Sequence, residues 1–160
     1  MVKKITKPGE FDVVIVGGLG HVGLPLGLVF ADKGLKVCLY DLDRKKADTV
    51  SKGIMPFIEY GAEPILKKVL SNGSLMVSLD AESISKAKYV VIAIGTPVDE
   101  YLNPKTRAFL QFFENIKKYL NQSQTIIIRS TVYPHTCQQT LNLLGSGKWK
   151  LGIRPKDPAN

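Results

Sequence analysis

The chain has 160 residues, 44% hydrophobic and 22% charged, with 22 Lys and Arg against 14 Asp and Glu and a formal charge of +8. That length suits one domain with a single buried core, and the apolar content excludes wholesale disorder. No apolar run approaches the ~20 residues of a membrane span, and Met1 to Glu10 carry charge but no apolar segment, which excludes a cleaved secretory signal.

In chain order, residues 1–10 read as an N-terminal extension and residues 11–160 as one domain. Phe11 to Val16 (FDVVIV) is a mostly apolar run and predicts a buried strand that is followed by a glycine-rich turn. Val22 to Lys33 predicts a helix, with Pro25 near its first turn, where a missing N–H costs little, and Gly34 as its stop. Lys36 to Asp41 predicts a second strand and Asp43 to Lys52 a polar helix capped by Asp43. Gly53 to Gly61, with Pro56, reads as a loop before a helix over Glu63 to Ser71. Leu75 to Leu79 predicts a third strand, Glu82 to Lys86 a helical turn and Lys88 to Ile94 a fully apolar fourth strand. Phe109 to Leu120 predicts an amphipathic helix, Thr125 to Arg129 a fifth strand, His135 to Leu144 a helix and Trp149 to Ile153 a sixth strand.

Apolar strands that alternate with helices imply an α/β fold, a mainly parallel sheet of about six strands covered on both faces. Right-handed crossovers then give a doubly wound, Rossmann-type sheet. In such a sheet the ligand lies beyond the carboxyl ends of the strands. Gly17 to Gly23, Asp41, Gly95 to Pro97 and Ser130 with Thr131 all fall at predicted strand ends.

Gly18-Leu19-Gly20-His21-Val22-Gly23 is a Gly-x-Gly-x-x-Gly run between a predicted strand and helix. Gly18 is expected to permit the tight turn, Gly20 to let a pyrophosphate approach the backbone, and Gly23 to let helix and strand pack closely. The helix N-terminus then presents N–H groups and a positive dipole end to phosphates. Asp41 stands 18 residues beyond Gly23, where an acid accepts hydrogen bonds from the adenosine ribose and repels a 2′-phosphate. This favours NAD over NADP, although Arg44 and Lys45 lie close by. Asp41 is alternatively a helix cap, a place that Asp43 fits better.

At this point the chain resembles the UDP-glucose/GDP-mannose dehydrogenase family of nucleotide-sugar dehydrogenases. Val16 to Leu26 (VGGLGHVGLPL) is similar to that family's first motif, with its Gly-Leu-Pro after the glycines. Ala93 to Asp99 (AIGTPVD) and Arg129 to Pro134 (RSTVYP) resemble its Gly-Thr-Pro and Ser-Thr-Val-x-Pro motifs, and Gly53 to Gly61, with Pro56 and Glu59, its loop after the second helix. The resemblance implies a fold and a cofactor, NAD. It places Gly18, Gly20, His21, Val22 and Gly23 around the pyrophosphate, Asp41 and Lys46 at the ribose, and Gly95, Thr96, Pro97, Ser130 and Thr131 near the cofactor. Thr131 also takes a supporting catalytic role, helping to hold a water. On its own, Thr131 reads only as a polar strand-end residue or a helix cap.

The resemblance further implies oxidation of a UDP- or GDP-sugar alcohol to the uronic acid through a thiohemiacetal and thioester on a cysteine. That cysteine and most of the sugar pocket belong to a substrate domain expected to be absent from this chain. The isolated chain is therefore expected to be inactive. The alternative is a free-standing dinucleotide-binding regulatory module; a hydroxyacid dehydrogenase shares the glycines but not the Ser-Thr-Val-x-Pro motif. His21 stands where the family usually has an aromatic residue, and His135 where it commonly has glycine. A general-base role for His135 is weaker than a structural one, because it begins a helix and the family does this chemistry elsewhere.

Only Cys38 and Cys137 are present, which excludes a disulfide framework or a cysteine zinc site, and no metal is expected. Cys38 reads as inert core, and Cys137, on a helix, as an improbable nucleophile. The basic residues are scattered, without nucleic-acid motifs, so the expected partners exclude nucleic acid and membrane. A cytoplasmic location and weak self-association through Trp149 and Leu151 complete the expectations.

Overall fold

Phe11–Val16 forms β1, whose side chains leave the strand on both faces into separate cores. The computed structural model describes residues 10–95, 106–132, 135–145 and 150–153. Val13 and Ile15 join one apolar cluster, Val14 and Val16 the other, and this double burial makes Val13 to Val16 apolar without a break. β1 lies inside a six-stranded sheet of order β3-β2-β1-β4-β5-β6. The other strands are β2 (Val37–Tyr40), β3 (Leu75–Ser78), β4 (Ala87–Ile92), β5 (Thr125–Ile128) and β6 (Lys150–Ile153). Every pairing is parallel, with Val14 opposite Cys38 on one side and Val90 on the other.

The helices are α1 (Gly23–Asp32), α2 (Arg44–Ser51), α3 (Ala62–Ser71), α4 (Thr106–Ile116) and α5 (Thr136–Leu144). One face is covered through Leu24 and Leu28 of α1 and Leu66 and Val69 of α3. The opposite face takes Phe109, Phe113 and Ile116 of α4 and Leu144 of α5, with Ile84 from a 3-10 turn over Ala81–Lys86. The Phe109 and Phe113 rings lie 5.2 Å apart in a tilted pair. Helices on both faces of a parallel sheet make the fold doubly wound, as expected from the alternation of elements.

The elements differ from their sequence reading mainly at the ends. α1 begins at Gly23, so His21 and Val22 belong to the turn. α4 starts three residues earlier than its apolar periodicity, at Thr106, and gives way to a 3-10 turn over Lys117–Tyr119. Asp43 caps α2 as expected, its carboxylate accepting from the Lys46 N–H at 3.0 Å. Trp149 and the Leu151 side chain, on which self-association was expected to rest, lie outside the described residues, as do Thr96, Pro97 and Pro134.

A buried amide ties β5 to the rest of the sheet. Gln124 is 1% exposed, and its Nε2 donates to the carbonyls of Ile84 and Ala87 at 2.7 and 2.8 Å. Its Oε1 accepts from the Asn121 N–H. Gln124→Leu keeps the bulk but strands these groups in an apolar surround, each unsatisfied group costing about 1–3 kcal/mol. Urea unfolding is expected to show a loss of about 3 kcal/mol; a loss below ~1 kcal/mol would mean that the carbonyls find other donors.

Candidate dinucleotide site

Because all strands run the same way, the carboxyl ends of β1, β2, β4 and β5 share one edge, and the winding reverses between β1 and β4. That reversal opens a crevice suited to a ligand. The turn after β1 lies at this edge. The N–H groups of Gly17 and Gly18 both donate to the Tyr40 carbonyl at 3.0 Å, which pins the turn to the end of β2.

The glycines have different physical reasons to be there. Gly17 carries φ +77° and is the left-handed residue of the turn, directly before Gly18. Gly18 is required by packing: a Cβ there would sit 2.8 Å from the Leu39 backbone and side chain and from the Ile15 carbonyl. A Cβ on Gly23 would overlap the Gly17 carbonyl oxygen, as expected for close packing of helix on turn. Gly20 alone of the fingerprint glycines faces open space, with only the Gly17 oxygen at 3.5 Å from an added Cβ. Among the described residues, neither the His21 nor the Val22 N–H finds an acceptor. Two unpaired donors at the start of a helix, over a bare Gly20, form a cradle for an anion.

Asp41 follows β2 and turns its carboxylate to this cradle. Oδ2 accepts from the Leu19 N–H inside the glycine turn at 3.0 Å, and Oδ1 accepts from the N–H groups of Leu42 and Asp43 at 2.8 and 3.1 Å. These bonds hold the carboxylate in place and leave lone pairs for ligand hydroxyls. Asp41 is therefore not the cap of α2; Asp43 is. Lys46 lies in the first turn of α2, exposed, with Nζ 3.6 Å from the Asp43 carboxylate. The Lys46 N–H, then its side-chain charge, hold the Asp43 carboxyl below the usual carboxylate range. That stabilisation is in place above the ordinary carboxylate pKa and fades as the pH falls through the lowered one.

On the far side of the crevice, the Ala93 N–H donates to the Val16 carbonyl at 2.8 Å and leads the chain to the exposed Gly95. Ser130 joins the ends of β4 and β5, its Oγ donating to the Ile94 carbonyl at 2.7 Å. Thr131 is exposed next to it. The structure thus brings Gly18, Gly20, His21, Val22, Gly23, Asp41, Gly95, Ser130 and Thr131 to one edge.

The cysteines and His135 stand differently. Cys38 is fully buried in β2, and burial pushes its thiol up to about 12. Burial also raises the Cys137 thiol, on α5. His135 precedes α5 with φ +68°, the one positive-φ residue other than glycine among those described. A left-handed residue with a Cβ costs roughly 1–2 kcal/mol, so the backbone at this position suits glycine better than histidine. One contact was not legible beforehand: the His21 ring stacks on Phe57, centroids 4.1 Å apart. No signal in the spacing links these residues.

An open parallel sheet with a glycine cradle and an acid at the end of β2 defines a Rossmann-type dinucleotide-binding domain. Residues 12–153 match the UDP-glucose/GDP-mannose dehydrogenase family, NAD binding domain, and the chain belongs to that family. It is 31% identical over 137 residues to the UDP-N-acetyl-D-mannosamine dehydrogenase of Methanococcus aeolicus, a match that covers 84% of this chain and 31% of that protein. The UDP-N-acetyl-mannosamine dehydrogenase of Staphylococcus aureus superposes with a TM-score of 0.77 at 28% identity, over 90% of this chain and 36% of that one. GDP-mannose dehydrogenase from Pseudomonas aeruginosa shares the fold, with a TM-score of 0.80 at 22% identity and the same coverage. The chain spans about a third of the length of the curated relatives it matches. Among the described residues, no helix is long and apolar enough to cross a membrane, and no group of three ligating side chains could hold a metal ion.

Proposed function

We propose that residues 11–160 form the NAD-binding domain of a nucleotide-sugar 6-dehydrogenase, which oxidises the alcohol of a UDP- or GDP-sugar to the uronic acid. The observation that carries this is the cradle: unpaired N–H groups on His21 and Val22 over a bare Gly20, beside the tethered Asp41 carboxylate. In this reading the His21 and Val22 N–H groups hold the diphosphate, and Gly18, Gly20 and Gly23 let it and the helix come close. Asp41 accepts from the adenosine ribose, with Lys46 beside it. Gly95, Thr96, Pro97 and Ser130 border the nicotinamide half, and Thr131 supports the reacting centre through a held water. NAD, when bound, supplies the hydride acceptor; the chain's own residues bind and orient. The sugar assignment is supported by the names of the relatives and by family membership.

Calorimetric titration of the chain with NAD and NADP tests the assignment. A 2′-phosphate would meet the Asp41 carboxylate, so NAD is expected to bind at least about tenfold more tightly, roughly 1.4 kcal/mol. Equal affinities would remove Asp41 from the ribose site, and absence of NAD binding would remove the whole assignment.

A further inference from the structure

His21 is the one ionisable side chain between Gly17 and Ala31, so the glycine turn and nearly all of α1 otherwise carry no charge. Its exposed ring lies against Phe57, with the planes 20° from parallel, and Phe57 packs in turn on the core beneath α1 and α3. The imidazole is thus held beside the unpaired N–H groups of the cradle. Neither ring nitrogen bonds a described residue, so both are available to solvent or ligand.

We propose that His21 is a diphosphate-positioning residue: stacked on Phe57, its protonated imidazole supplies a cation to the diphosphate of the bound dinucleotide. The inference rests on the NAD-binding reading above and deepens it. A helix N-terminus offers only partial charge to an anion, and the turn has no Lys or Arg to complete it. An imidazole takes up its proton between pH 5 and 8, and a cation on an aromatic face is attracted to it, so the stack persists in the charged state. A charge-assisted hydrogen bond to a phosphate oxygen then becomes available. The family resemblance places an aromatic ring at this position, which would keep the stack without the charge.

The other ionisable groups around the stack come from the neighbouring loop and helices. Glu59 lies in the loop with Phe57, Glu63 lies in the first turn of α3 and pairs with Lys67 at 2.7 Å, and Asp41 follows β2 with its oxygens on backbone N–H groups. A carboxylate near the ring favours the imidazolium, and Arg44 and Lys46 on α2 are the cations of the neighbouring helix. The first turn of α1 holds no acid.

The test is calorimetric titration of the full chain with ADP-ribose, which has the same diphosphate without the nicotinamide, at about pH 5.5 and about pH 8. Binding is expected to be about threefold to fivefold tighter at the lower pH, the range of an exposed ion pair. Proton uptake should appear as a binding enthalpy that depends on the buffer. His21→Gln and His21→Tyr should bind equally at both pH values, the second keeping a stacked ring without a cation, and His135→Gln should behave as wild type. Phe57→Ala should shrink the dependence, because the imidazole is no longer held. Adenosine, with no diphosphate, should show none. A wild-type affinity that is flat with pH, or a dependence that survives in both His21 variants, overturns the role of His21 and leaves the NAD-binding reading standing. If neither ADP-ribose nor NAD binds at either pH, the NAD-binding reading falls and this inference with it.

Discussion

Gly20→Val is expected to abolish NAD binding while the chain keeps its stability, whereas Gly23→Val is expected to destabilise the fold. Both positions belong to the same fingerprint, but the space around them differs. An added Cβ on Gly20 meets only the Gly17 oxygen at an ordinary 3.5 Å, and its backbone is not left-handed. The fold therefore tolerates the valine, whose methyls fill the place a diphosphate would take. At Gly23 the Cβ overlaps the Gly17 carbonyl oxygen and comes within 2.8 Å of the Gly18 Cα. These are backbone atoms of a turn already fixed by two bonds to Tyr40, so the strain cannot pass to a flexible side chain. Overpacking costs ~1–3 kcal/mol where side chains can adjust, and about 3 kcal/mol or more is expected here. That lowers Tm by roughly 10 °C for a chain of this size. Calorimetry on both variants checks the pair. NAD binding by Gly20→Val at wild-type affinity would move the diphosphate elsewhere, and an unchanged Tm for Gly23→Val would show that the turn can open.

The strands were legible because double burial leaves a local signature. Val13 to Val16 of β1 and Tyr89 to Ile92 of β4 are unbroken apolar runs, which separates a parallel sheet with two covered faces from a half-exposed one. The glycine fingerprint and Asp41 were legible because chain spacing there equals spatial proximity: a turn, a helix and the next strand. What stayed hidden depends on contacts across the sheet. Leu39 of β2 crowds Gly18 and Ala93 beyond β4 crowds Gly17, contacts that spacing along the chain does not reveal. The His21–Phe57 stack joins a turn to a loop well beyond any helical or strand period, so no pattern announces it. The left-handed His135 was noticed only as a departure from a resemblance, since histidine by itself carries no signal of a positive φ.

Mixed with NAD and UDP-glucose, UDP-N-acetylmannosamine or GDP-mannose, the 160-residue chain is expected to form no NADH. Hydride transfer needs the substrate carbon held against the nicotinamide, and such orientation contributes roughly 7–11 kcal/mol to lowering a barrier. In the proposed reading, Ser130 and Thr131 at the end of β5 border that space on one side. The route to a carboxylate implied by the family resemblance also needs a thiolate nucleophile. Cys38 is enclosed in the sheet, and burial pushes its thiol up to about 12, which disfavours the thiolate. Cys137 is half-buried, packs against the core beneath α4, and has its thiol raised by burial alone, with no cation lowering it. His135 precedes it by two residues in a left-handed conformation, a separation at which side chains on a helix do not face each other. Neither thiol therefore has the base or the exposure that nucleophilic attack requires. Following NADH absorbance with each sugar nucleotide, in the wild type and in Cys137→Ala, decides the matter. NADH formation lost in Cys137→Ala would make this cysteine the nucleophile of a minimal enzyme. NADH formation that survives the substitution would show hydride transfer without a thiol, and either outcome would overturn the expectation of an inactive chain.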